Sequence, residues 1–77
     1  MAGPISDAAE LFGSRVRARR TQLSMTQEQL AEVADLHWSY VGQVERGERN
    51  ISLRNITRLA HALGVDAGEL LTGARAW

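Results

Sequence analysis

The chain has 77 residues and no cysteine, and its nine basic and nine acidic residues give a net charge of zero. A chain of this length forms one small core and leaves no room for a separate catalytic module. The lack of cysteine excludes disulfides and thiolate metal sites, and the apolar stretches are too short for a membrane span or a secretory signal. We therefore expect one intracellular, cytoplasmic domain, and a core this small favours dimerisation.

The charges are segregated along the chain although they sum to zero. All nine basic residues are arginine; four lie in residues 15–20, residues 28–48 are mainly acidic, and residues 49–58 are basic again. Arginine makes bidentate contacts with phosphate and guanine, so two basic segments are compatible with a nucleic-acid partner. A GC-rich genome produces the same arginine bias, and both explanations stay open at this point.

The helix signals begin after a short leader. We expect residues 1–6 to be a flexible leader, residues 7–72 to form one domain, and residues 73–77 to be a tail. The first helix is predicted over 7–23, with Ser6 or Asp7 as its N-cap and Glu10 near the positive end of the helix dipole. Its buried stripe is predicted to contain Leu11, Phe12, Val16 and Leu23.

The second helix begins at a capping box, because Thr26 is followed three residues later by Gln29. It is predicted to carry Leu30, Ala31, Val33 and Ala34. Asp35 then breaks the helical pattern, and its side chain tolerates the left-handed conformation that a tight turn between helices requires.

The third helix is predicted over 38–46, with Val41 and Val44 turned inward and Gly47 as a left-handed C-terminal residue. His37 is interpreted as a helix cap. A fourth helix follows Ser52 and ends at Gly64; its predicted inner face contains Leu53, Ile56, Leu59, Ala60 and Leu63. Asp66 and Glu69 predict a second capping box for a short fifth helix that carries Leu70 and Leu71.

The second and third helices, over about residues 26–46, have the dimensions of a helix-turn-helix unit that lays its second helix in the major groove of DNA. If the two valines face inward, the outer face of the third helix consists of Trp38, Ser39, Gly42, Gln43 and Arg46. Glutamine can bond an adenine edge, arginine can reach guanine or phosphate, and glycine permits close approach to the duplex.

The segments Ser14-Arg15-Val16-Arg17, Met25-Thr26-Gln27-Glu28-Gln29-Leu30-Ala31 and Val41-Gly42-Gln43-Val44-Glu45-Arg46-Gly47 resemble the helix-turn-helix of phage repressors and Cro, the xenobiotic-response-element family. The stretches 35–42 and 45–53 are most similar to the controller proteins of type II restriction-modification systems. The resemblance covers residues 12–71. It implies an all-α, five-helix, lambda-repressor-like domain that binds double-stranded operator DNA.

The resemblance also implies roles for individual residues. It places Gln27 on a backbone phosphate and Gln43 on a base. Together with the reading of the helix faces, the expected base contacts are Trp38, Ser39, Gln43, Arg46 and Arg49, and the expected backbone contacts are Arg17, Gln27, Tyr40 and Asn50. Trp38 departs from the controllers, which commonly have arginine there. Arg20 and Glu45 are expected to form a structural ion pair.

The C-terminal apolar residues suit either the monomer core or a dimer contact, and we expect the dimer contact. Its predicted members are Val65, Leu70, Leu71 and Trp77. The expected function is therefore a homodimeric transcriptional regulator that binds a pseudo-palindromic operator and controls restriction-modification genes and its own gene. An antitoxin-type repressor of the same fold, which also binds a protein partner, is the alternative; a protein-interaction module that has lost DNA binding is a weaker one.

The sequence contains no constellation that predicts catalysis, since it offers neither a nucleophile with a base nor paired carboxylates in a cleft. We expect no catalytic residue, no cofactor and no small-molecule ligand. The two histidines, His37 and His61, lack a nearby third ligand, so a metal site is not expected.

Overall fold

The computed structural model describes residues 3–75 of the chain. Its helices are α1 Asp7–Gln22, α2 Gln27–Ala34, α3 Trp38–Glu45, α4 Leu53–Leu63 and α5 Ala67–Leu71. Residues 3–75 contain no β-strand, and none of the helices in this range has the length and apolar character to cross a membrane. The predicted all-α class and the five predicted helices are confirmed.

Side-chain caps begin most of these helices. The Ser6 hydroxyl accepts a hydrogen bond from the Ala9 N–H (3.0 Å) and is the N-cap of α1. The predicted capping box of α2 is complete, because Thr26 and Gln29 bond each other's backbone N–H groups. These contacts satisfy donors that a helix start otherwise leaves without partners.

The helix ends use left-handed residues where the sequence predicts them. Asp35 ends α2 with φ 58°, Gly47 follows α3 with φ 73°, and Gly64 ends α4 with φ 67°. Ser24, in the turn between α1 and α2, also has a positive φ of 57°, and no sequence signal predicts it. The short α2–α3 turn at Asp35 fixes the angle between the two helices of the helix-turn-helix unit.

The core lies where all five helices meet. Its fully buried side chains are Val16, Leu30, Val41, Leu59 and Leu63. Phe12, Ala31, Ala34, Val44, Ala60 and Leu70 are also buried in it. Each helix contributes at least one of these residues, so the position of α3 depends on packing contributed by the whole chain.

Three apolar residues that the sequence analysis places in helix patterns lie at the surface. The expectation that Leu23 and Leu53 are buried is wrong: Leu23 is 38% exposed at the end of α1, and Leu53 is 75% exposed in the first turn of α4. Val33 of α2 is 58% exposed. Terminal residues of a helix often extend past the neighbouring element that would cover them, so the helical period alone misplaces them.

The prediction for α5 needs two corrections. Asp66 makes no side-chain cap hydrogen bond, so the second capping box is absent. Leu70 is only 3% exposed and belongs to the monomer core, not to a free dimer surface. The reason is that α5 packs against both α1 and α4, which leaves Leu70 between them. Val65 is partly buried against the same core, and Leu71 remains 36% exposed.

Two arginines of α1 hold the C-terminal helices. The Arg19 Nε–H donates to the Leu63 carbonyl oxygen at the end of α4 (2.9 Å), and the Arg15 guanidinium donates to the Glu69 carbonyl oxygen of α5 (3.0 Å). Arginine at the negative end of a helix satisfies free carbonyl groups and suits the helix dipole. These two guanidinium groups therefore make hydrogen bonds within the protein.

The segment before α1 contacts the end of α3. The Ile5 N–H donates to the Gly47 carbonyl oxygen (2.8 Å). The sequence contains no local signal for this hydrogen bond to the predicted leader. Trp77, a predicted dimer residue, lies outside the described residues.

Candidate nucleic-acid interface

Close packing of α1 on α3, the predicted recognition helix, fixes how far α3 projects from the rest of the domain. A Cβ added at Gly13 of α1 would overlap the Val44 carbonyl oxygen and lie 2.8 Å from that of Glu45. Only glycine allows the two backbones to approach this closely. On the same side, Val41 and Val44 turn into the core, as predicted.

The opposite side of α3 faces outward. Trp38 is 56% exposed, Ser39 and Arg46 are exposed, and Gln43 is partly exposed. Gly42 does not belong to this open surface as the sequence analysis proposed. It is buried because the side chains of Gln27 and Arg46 cover it, with Gln27 Oε1 3.5 Å and an Arg46 guanidinium nitrogen 3.2 Å from the place of a Cβ.

The Arg20–Glu45 ion pair implied by the resemblance is present in the structure. The Arg20 Nε–H donates to Glu45 Oε2 (2.6 Å) and a second guanidinium N–H donates to Oε1 (3.0 Å). The Glu45 side chain is 3% exposed and that of Arg20 is 12% exposed. Hydrogen bonding to Glu45 raises the pKa of Arg20, despite an opposing effect of burial. The pair ties the end of α1 to the end of α3.

Glu45 also holds Gln27 at the start of α2. The Gln27 Nε2–H donates to Glu45 Oε1 (3.0 Å). An amide nitrogen has two N–H groups, so the second remains available to an external acceptor. This contact places the amide beside α3, where the resemblance implies a phosphate contact.

A second group of polar contacts joins α3 to the loop and to α4. The Asn55 Nδ2–H donates to Tyr40 Oη (3.2 Å), the Arg49 guanidinium lies 5.0 Å from the Tyr40 ring centroid, and an Arg49 N–H donates to Gln43 Oε1 (3.3 Å). Since Tyr40 accepts from Asn55, its own O–H is free to donate. Asn55 is a residue that sequence reasoning missed, and no local signal could have found a partner fifteen residues away.

The N-terminus of α3 carries a histidine cap. The Ser39 N–H donates to His37 Nδ1 (3.2 Å), as the cap prediction requires, and the Ser39 Oγ lies 2.7 Å from the same nitrogen. The His37 and Trp38 rings stack with centroids 5.8 Å apart. Trp38 is therefore packed on one side by imidazole while more than half of it stays exposed.

The remaining predicted contact residues are at the surface. Arg46 is paired with Glu48 (3.1 Å) at the end of α3, and Arg17 and Asn50 are exposed. The structure thus brings Trp38, Ser39, Gln43, Arg46, Arg49, Tyr40 and Gln27 together around α3.

Comparison with known proteins identifies the family. The helix-turn-helix family model matches residues 16–70, which is more than two thirds of the chain. The chain belongs to the helix-turn-helix family. The match contains α2 through α4 entirely, the C-terminal part of α1 and most of α5. The chain is a DNA-binding transcriptional regulator, not an enzyme.

Its relatives include controller proteins. The chain is 48% identical over 62 residues to the control protein C.BamHI of Bacillus amyloliquefaciens, covering 79% of this chain and 76% of that protein. The restriction-modification controller protein C.AhdI of Aeromonas hydrophila superposes with a TM-score of 0.79 at 50% identity, covering 80% and 94% of the two chains. The P22 c2 repressor, solved with a synthetic operator, has a TM-score of 0.75 at 32% identity, covering 80% and 94%.

Proposed function

We propose that this regulator binds a pseudo-palindromic operator as a homodimer and controls restriction-modification genes together with its own gene. DNA binding by α3 is supported by the difference between the two faces of this helix. Its valines are buried in the core, and its polar side is exposed. The similarity to control proteins supports the choice of target genes.

Phosphate contacts set the position of α3 on the duplex, and side chains on its outer face select the sequence. The proposed phosphate contacts are Arg17, Gln27, Tyr40 and Asn50, and the proposed base contacts are Trp38, Ser39, Gln43, Arg46 and Arg49. Glu45 supports the phosphate role of Gln27 by holding its amide, and Asn55 supports that of Tyr40 by leaving its O–H free. Selection of binding sites from random duplexes tests the proposal, and recovery of no preferred sequence would refute it.

Gln43→Ala tests base recognition. We expect it to weaken binding to the selected operator by roughly 1 to 3 kcal/mol while leaving binding to random duplex nearly unchanged, because an amide that reads a base edge carries sequence information. Affinities measured on both duplexes at fixed salt give the answer. Gln22→Ala, the same change at the exposed end of α1, is the control and should leave both affinities unaltered. Equal loss on the two duplexes would contradict base recognition by Gln43.

The proposed dimer contact centres on Leu71 and Leu53. Leu71 lines a surface groove with Ile51 and Ile56, and Leu53 lies one helical turn before Ile56 on α4. Leu53 and Leu71 are both exposed in the single chain. An apolar surface of this kind is stabilised when a second copy covers it. Half-site centres about one helical turn of DNA apart, roughly 10 base pairs, suit such a dimer.

Leu71→Glu is expected to convert the dimer into a monomer at micromolar concentration, since burying an unpaired carboxylate in an apolar contact is costly. Operator affinity should fall at least about tenfold, because only one recognition helix then binds at a time. Sedimentation equilibrium and operator titration measure the two effects. Val33→Glu introduces the same charge on α2 and is the control. A variant that sediments like the wild type would place the dimer contact elsewhere.

The antitoxin alternative has one observation in its favour. Leu23 and Val33 are exposed on α1 and α2, away from the proposed dimer contact, and both line the same surface groove. Such a surface suits a protein partner. The genes next to the coding sequence distinguish the two functions, because a restriction endonuclease supports the controller and a toxin supports the alternative.

A further inference from the structure

The hydrogen bonds at the start of α3 define the chemical state of His37. The Ser39 backbone N–H donates to Nδ1 (3.2 Å). A backbone N–H cannot accept a hydrogen bond, so Nδ1 must present its lone pair and the ring proton must lie on Nε2. The cap therefore requires neutral imidazole in the Nε2–H form.

This state of His37 determines the direction of the Ser39 hydroxyl. Ser39 Oγ lies 2.7 Å from the same Nδ1. In this form the single lone pair of Nδ1 is shared by the Ser39 N–H and, at the shorter distance, the Ser39 O–H, so the hydroxyl has only its own lone pairs left for an outside partner. Ser39 is exposed on the outer side of α3. It consequently faces the solvent as an acceptor.

DNA offers two classes of partner to this side chain. Phosphate oxygens only accept, so they cannot bond a hydroxyl whose proton is already donated. In the major groove, donors are found on the amino groups of adenine N6 and cytosine N4, whereas guanine and thymine present acceptors there. We propose that His37 is a positioning residue that makes Ser39 an acceptor, so that Ser39 selects adenine or cytosine in the operator. This inference rests on the proposed binding of α3 to DNA.

The tautomer can be tested on the protein without DNA. In nitrogen-15 NMR spectra recorded near pH 8, His37 is expected to show the Nε2–H form, with Nδ1 as an acceptor. His61, exposed on α4, is the reference within the same sample. A predominant Nδ1–H form of His37 would overturn the inference and leave the proposed function untouched.

The base selection is tested on duplexes obtained by site selection. Every operator position is substituted with the other base pairs, and wild-type protein is compared with Ser39→Ala. One position should prefer adenine or cytosine on the strand facing Ser39 by about fivefold, which corresponds to one net hydrogen bond. Ser39→Ala should abolish that preference. A preference for guanine or thymine, or no position affected by Ser39→Ala, would overturn the inference; failure to select any sequence would instead overturn the proposed function.

The role of His37 is tested by substitution at a fixed pH near 8. His37→Asn keeps a side-chain acceptor for the Ser39 N–H and should retain the adenine or cytosine preference, whereas His37→Ala removes the acceptor and should lose it. His61→Asn, on α4, is the matched control and should bind like the wild type. An undiminished adenine or cytosine preference in His37→Ala would refute the assignment.

Discussion

Glu45→Ala is expected to destabilise the domain by about 3 to 5 kcal/mol, because it leaves the guanidinium of Arg20 buried without its counter-charge. The Gln27 amide loses the same acceptor. A domain of this size has a total stability of only about 4 to 12 kcal/mol, so the substitution removes about a quarter of that stability or more. Urea denaturation followed by circular dichroism measures the loss. A change below about 1 kcal/mol would contradict the buried ion pair.

Glu48→Ala provides the control for this experiment, because it removes an ion pair on the exposed side of the same helix end. The side chain of its partner Arg46 is 58% exposed, and pairs of this kind contribute about 0 to 1 kcal/mol. A double variant, Arg20→Met with Glu45→Leu, should recover much of the stability, since apolar side chains of similar volume replace both charges. Its operator affinity then reports how much the positioning of Gln27 by Glu45 contributes to binding.

Loss of DNA binding in Glu45→Ala is therefore not evidence of a DNA contact. The carboxylate is buried and bonded to Arg20 and Gln27. Its role is to join α1, α2 and α3 at the point where the recognition helix ends. Stability must be measured before any affinity is interpreted.

Local signals explain which parts of the fold the sequence predicts well. Thr26 and Gln29 form a cap within one turn of chain, and Asp35, Gly47 and Gly64 adopt left-handed conformations that few other residues tolerate. These interactions depend on neighbours in sequence. The inward direction of Val41 and Val44 follows from the helical period in the same way.

Properties set by distant parts of the chain could not be predicted. Leu53 and Leu70 are both leucines in helical patterns, yet one is exposed and the other buried. The difference arises because α5 packs between α1 and α4, whereas no described element covers the first turn of α4. Likewise, Arg15 and Arg19 appear in the sequence as a basic segment suited to DNA. In the fold they bond carbonyl groups of α5 and α4.

The candidate site shows the same difference between what neighbours in sequence determine and what distant residues determine. The resemblance supplied Gln27, Gln43 and Tyr40 as contact residues. The hydrogen bonds that orient them come from Glu45, Arg49 and Asn55, which lie six to eighteen residues away in sequence. The residue types at the surface were predictable, but their orientation required the tertiary structure.

Gly13→Ala is expected to destabilise the domain by about 2 to 3 kcal/mol, as overpacking of a well-filled contact does. The new Cβ would overlap the Val44 carbonyl oxygen, and both partners are backbone atoms that cannot turn aside. Helix propensity alone predicts that Gly13→Ala stabilises the domain, since alanine is favoured over glycine inside a helix by about 1 kcal/mol.

Gly68→Ala, on α5, is the matched control for Gly13→Ala because no atom lies within 4 Å of its added Cβ. It should leave stability unchanged or raise it by up to about 1 kcal/mol. Urea denaturation of both variants separates steric overlap from propensity, and operator affinity of the folded fraction reports the displacement of α3. If Gly13→Ala were as stable as the wild type, α1 and α3 could not pack this closely in solution. The contact at Gly13 would then not determine how far α3 projects from the domain. The distance that Ser39 and Gln43 can reach into a DNA groove would have to depend on another contact.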